Sequence, residues 1–109
     1  MLVLFDNGTP RTLARYLIDR HTVTEARARG WGELGNGELL NMAEASGFEV
    51  LVTADQNLTY QQNLTGRKIA IVVLGKGRWS VIKAPVSQIV TAVSAAAPGG
   101  ITLVEIPDH

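Results

Sequence analysis

Three carboxylates, Asp6, Glu38 and Asp55, with the amide Asn57 two residues beyond the last, are the side chains here whose types and spacing could do chemistry together. Each stands at the end or the start of an element. Asp6 closes the apolar run Leu2-Val3-Leu4-Phe5, and Asp55 follows Val50-Leu51-Val52-Thr53 closely. Glu38 precedes the apolar positions Leu39, Leu40 and Ala43. Clustered carboxylates raise one another's pKa unless a cation neutralises them. Their hard oxygens select Mg²⁺ or Mn²⁺, which keep several waters and often bridge to phosphate. Such an ion polarises a phosphodiester and acidifies a bound water. Asn57 offers a neutral oxygen, to the ion or to a water on it. The chemistry these groups suggest is phosphodiester hydrolysis.

Whether they meet depends on the elements that carry them. The continuous apolar run over 2–5 predicts a strand buried on both faces. Thr9-Pro10 reads as a helix cap followed by proline at the first helical position, with Leu13, Leu17 and Ile18 at helical spacing up to about residue 20. A second strand is expected over 22–25, then a glycine-rich irregular stretch over 26–36. Asn36 can cap a helix that carries Leu39, Leu40, Met42, Ala43 and Ala45 and stops at Gly47. Strands are predicted over 48–53, 69–74 and 101–106. One or two helical turns are expected over 58–64, and a helix from near Pro85 has Val86, Ile89, Val90 and Val93 on one face. Strands alternating with helices give one α/β domain over 1–109 with a mostly parallel sheet. In right-handed β-α-β units, parallel strands share one carboxyl edge. That topology would gather Asp6, Glu38 and Asp55 without any assumption about function.

Composition narrows the setting. The 109 residues suffice for one core, and the absence of cysteine removes disulfides and thiolate metal sites. The start meets an acid after Met1 and four further apolar residues and no apolar run is long enough to span a membrane, so the expected location is the cytoplasm, with no membrane partner. Net charge is zero, which argues against bulk capture of nucleic acid. Yet no Asp or Glu occurs from Gln56 to Val104, where Arg67, Lys68, Lys76, Arg78 and Lys83 all lie. An acidic site beside a basic half suits a metal enzyme acting on a polyanion. Gln61, Arg67, Lys76 and Arg78 are candidates to hold RNA, with Trp79 as a stacking surface beside the last two.

Plainer roles exist for each residue. Asp6 can form an Asx-turn, Glu38 can sit in a first helical turn for the dipole alone, and Asp55 can cap a short helix. Trp79 can be tucked into the core, and Trp31 can be a lid or a packing plug. The apolar face at 86–93 can be core or can pack on a twin chain in a homodimer. No role is assigned to His21 or His109.

The motifs Leu4-Phe5-Asp6-Asn7-x-x-Pro10, Asn36-Gly37-Glu38-Leu39-Leu40 and Leu51-Val52-Thr53-Ala54-Asp55-Gln56-Asn57-Leu58 resemble those of small bacterial PIN-like proteins. That family is related to the toxin nucleases of toxin–antitoxin pairs. The resemblance spans nearly the whole chain, with Tyr60-Gln61-Gln62-Asn63-Leu64 looking like one branch. It implies a PIN-like α/β/α sandwich and a Mg²⁺- or Mn²⁺-dependent ribonuclease site holding its ion on Asp6, Glu38 and Asp55. A cognate antitoxin is then an expected partner. Many relatives carry acids where this chain has Asn7 and Asn57, so one ion is expected at most. Those amides also fit a module that binds RNA or a protein and cleaves slowly or not at all. A receiver-like signalling domain has acids after strands one and three as well, but it needs a lysine ending a late strand, and Lys83 is not placed there.

Overall fold

The structure is a computed structural model that describes residues 1–6, 9, 11–54, 67–75 and 86–104. Among the described residues, five strands form one sheet: β1 (Leu2–Phe5), β2 (Thr22–Glu25), β3 (Val50–Thr53), β4 (Ala70–Leu74) and β5 (Ile101–Val104). Their order is β2-β1-β3-β4-β5, and every pairing is parallel. The mostly parallel expectation thus sharpens to a wholly parallel sheet in a single α/β domain. Two short 3₁₀ helices (Arg11–Tyr16 and Ala26–Arg29) and two α-helices, α1 (Asn36–Ala45) and α2 (Val86–Ser94), complete the described elements.

Parallel strands covered on both sides need apolar residues at consecutive positions. Val50 to Thr53 and Ala70 to Leu74 are buried without a break, as are Val3, Leu4 and Phe5. Register assigns them to two cores. Val3, Phe5, Val50, Val52, Val72 and Leu74 face Leu13 and Leu17 of the first crossover and Ile89 and Val93 of α2. Leu4, Leu51, Ile71 and Val73 face Leu39, Leu40 and Ala43 of α1, with Phe48 at the entry to β3. Each of the central strands therefore feeds both layers.

Several expectations change in detail. The stretch after Thr9 forms a 3₁₀ helix over Arg11–Tyr16 and further turns to Arg20, where a longer regular helix was expected. Leu13 and Leu17, one turn apart, supply the buried contact, while Ile18 is 67% exposed. Gly35, not Asn36, holds the N-cap position of α1. Ile89 and Val93 are fully buried, so the apolar face of α2 is core and not a surface for a twin chain. Trp31 packs edge-on against Phe48, with ring centroids 6.0 Å apart, and Arg29 lies over both rings. It is a packing plug. The first 3₁₀ helix and α2 cover the same face although their crossovers move in opposite directions across the sheet, so the two are of opposite hand. A shared carboxyl edge needs only parallel strands, and it survives that departure.

Candidate functional site

The strand order reverses between β1 and β3. From β1 the chain goes outward to β2, then crosses β1 to reach β3 on its other side. Ligands of open parallel sheets bind at such a reversal, beyond the carboxyl ends of the strands. Asp6 is the residue that leaves β1 at this point, and Thr53 is the last residue of β3 beside it.

Hydrogen bonds carry the β1–β3 contact past the end of the ladder. The Asp6 N–H donates to the Val52 carbonyl at 3.0 Å, and the Thr9 hydroxyl donates to the same carbonyl at 2.8 Å. The Thr9 N–H in turn donates to the Asp6 carbonyl. Thr53 is fully buried, and its hydroxyl donates to Asp6 Oδ2 at 2.9 Å. Losing such a bond from a buried group costs about 1–3 kcal/mol, so the hydroxyl holds the carboxylate in a defined orientation. Asp6 itself is half-buried at the rim. Its side chain is engaged by Thr53, and the Thr9 hydroxyl ties Thr9 to β3.

Sequence reasoning gave Thr9 only a capping role and passed over Thr53. The available signal was Thr53, a lone hydroxyl closing an otherwise apolar strand two residues before an acid. Its position in the core makes a hydrogen-bond partner obligatory.

Glu38 lies in the first turn of α1 and is exposed. The last turn of α1 hands the chain to β3 through Gly47 and Phe48, so Glu38 stands most of a helix length from that join. Asp55 comes two residues after Thr53 in sequence. Asp55, Asn57, Gln61, Lys76, Arg78 and Trp79 lie outside the described residues. Among the described residues, no group of three or more His, Cys, Asp or Glu side chains is placed to hold a metal ion. In donor chemistry, Asp6 and Glu38 offer the hard oxygens that suit Mg²⁺ or Mn²⁺.

Arg67 is placed elsewhere. It precedes β4 and so stands at the amino edge, where its guanidinium pairs with the Glu44 carboxylate. The other Glu44 oxygen accepts the Lys68 N–H at 2.9 Å. Burial pushes the Glu44 carboxyl up, but the Lys68 amide, the Arg67 guanidinium and the Ile69 amide outweigh it and hold it below its ordinary value. Arg67 is thus part of a structural clamp and not of the acidic edge. Two cavities lined by described residues lie away from Asp6. One of about 490 Å³ runs between α2 and β5, and one of about 360 Å³ lies at the amino edge beside Phe48 and Lys68.

Comparison with protein-family models, with curated proteins and with solved structures finds no match.

Proposed function

We propose that the protein is a metal-dependent ribonuclease that hydrolyses RNA phosphodiester bonds at the carboxyl edge of its sheet. One observation carries this reading: a carboxylate, Asp6, sits at the reversal of strand order and is oriented by the buried Thr53 hydroxyl. Asp6 and Asp55 would hold the ion, with Glu38 as a third carboxylate and Asn57 as a neutral oxygen. A bound Mg²⁺ or Mn²⁺ supplies an acidified water and neutralises charge on the phosphate. The chain's own part is to position: Thr53 turns Asp6, while Gln61, Lys76 and Arg78 hold the RNA backbone. The proposal extends to the toxin half of a toxin–antitoxin pair, with a small antitoxin protein as partner.

A second reading, a module of the same fold that binds RNA or a protein without cutting, is favoured by the amides at Asn7 and Asn57. They leave fewer carboxylates to balance a cation. Receiver-like phosphotransfer finds less support, because β4 and β5 end at Leu74 and Val104, followed by Gly75 and Glu105 where a lysine is required.

The test is cleavage of labelled RNA by the purified chain with Mg²⁺, with Mn²⁺ and with chelator. Cleavage is expected with metal alone and should fall on the order of 100-fold or more in Asp55→Asn, beyond the roughly 10–100-fold of losing an outer partner. Undiminished cleavage in that variant would remove Asp55 from the site. A wild-type chain that never cleaves but still binds RNA in chelator would establish the second reading instead.

A further inference from the structure

The two edges of the sheet are finished differently. β2 reads Thr22-Val23-Thr24-Glu25; it carries a charge, runs straight into the second 3₁₀ helix, and is half-buried over its last three residues. β5 reads Ile101-Thr102-Leu103-Val104, without charge or proline, and Ile101 and Leu103 are 50% and 56% exposed. Open edges of that kind are templates for another strand, and proteins usually blunt them with charge, proline or cover.

Hydrogen bonds identify the open groups. Ile71 N–H donates to the Gly100 carbonyl, and Gly75 N–H donates to the Val104 carbonyl. The N–H and C=O of one strand residue point to the same side, so even-numbered residues face β4. Ile101 and Leu103 therefore turn both their N–H and their C=O outward. Among the described residues, β5 pairs with β4 alone.

We propose that this edge is the interface of a symmetric homodimer in which two copies of β5 pair antiparallel about a twofold axis through Thr102. In that register Ile101 lies opposite Leu103 of the partner subunit, and the two exchange both backbone bonds. Symmetry repeats the pair, so four outward N–H groups meet four outward carbonyls. Directly opposite side chains share a face, which gathers the exposed isoleucines and leucines into one apolar cluster. Thr102 meets its own copy on the other face, beside the groove that Ser87, Gln88 and Thr91 line with β5. Neutrality is what admits an identical partner here. A charge at position 102 would meet its copy across the axis, and one at 101 or 103 would stand diagonal to it. A four-residue edge buries less than the roughly 800 Å² per partner of a standard interface, so the dimer is concentration-dependent and not obligate.

Sedimentation of the full chain from micromolar to near-millimolar concentration, combined with amide exchange, tests this. The expected result is a monomer–dimer equilibrium in which the Ile101 and Leu103 amides become protected as dimer accumulates. Leu103→Lys places an ammonium in the apolar cluster, diagonal to its copy, and should weaken association at least about tenfold. The thermal midpoint of the monomer should stay unchanged, because that side chain is exposed and its N–H leaves the β4 ladder untouched. Leu103→Pro, which removes only an outward donor, should act in the same direction. A chain that is monomeric throughout overturns the proposal, as does a dimer indifferent to both variants. Protection of the two amides at every concentration overturns it too, since another part of the chain would then already cover the edge.

Discussion

Asp6 at the carboxyl edge and Glu44 at the amino edge are both half-buried acids that tie one element to the next. The contacts that orient them differ in kind. Glu44 gives one oxygen to the Arg67 guanidinium and the other to the Lys68 amide, and its charge is consumed in fixing α1 to the start of β4. Asp6 receives the Thr53 hydroxyl, a donor that brings no charge, so this contact orients the carboxylate without neutralising it. A carboxylate clamped by a cation is a fastening. One that a buried hydroxyl orients at a strand-order reversal lies where ligands of open parallel sheets bind.

The sharpest way to break that comparison is to remove each charge while keeping the shape. Asp6→Asn should lower metal-dependent RNA cleavage by on the order of 100-fold or more, with the thermal midpoint little changed. Glu44→Gln should do the reverse. It should leave cleavage alone and cost about 1–3 kcal/mol in chemical denaturation, because a charged hydrogen bond is lost at a half-buried site. If both variants lose stability and neither loses activity, the two acids are fastenings alike. Thr53→Val comes next in size. It keeps the volume and deletes the hydroxyl, and should weaken Mn²⁺ binding by roughly 10–100-fold in a calorimetric titration. Unaltered affinity there would leave Thr53 with a packing role only.

Much of this arrangement was legible beforehand, and the reason is periodicity. Apolar runs at 2–5, 50–52 and 69–74 fit strands buried on both faces, and the helical stretches between them fit a parallel sheet. The limits of β2 were readable to the residue. What could not be read is what depends on partners distant in sequence. Thr9 reads as a cap from its neighbours, but nothing near it in sequence shows that its hydroxyl also donates to Val52, 43 residues away. Arg67 looked like an RNA contact because it belongs to a basic half, yet Glu44 in α1 holds it at the opposite edge. Strand order has the same character: any open parallel sheet would share a carboxyl edge, but only the order places Asp6 at a reversal.

The smallest expected effect concerns His21, which joins three elements at the amino edge. One ring nitrogen is 3.3 Å from the Met1 nitrogen, and the other is 3.2 Å from the Ser94 hydroxyl at the end of α2. Burial lowers the imidazole pKa below its usual value, and the positive charges of Met1 and Arg20 lower it further, with Glu49 opposing. A base whose pKa is depressed by folding binds its proton more readily when unfolded. Its contribution to stability is therefore complete above the unfolded value of about 6.5 and is lost as pH falls below that value through the folded one. Glu44, also depressed, acts in the same direction but only at the lower pH of carboxylates. Denaturation measured at closely spaced pH values should thus show a first loss of stability just below about 6.5. His21→Gln should flatten that step and leave the more acidic one in place. A variant that keeps both steps would assign the first to some other group.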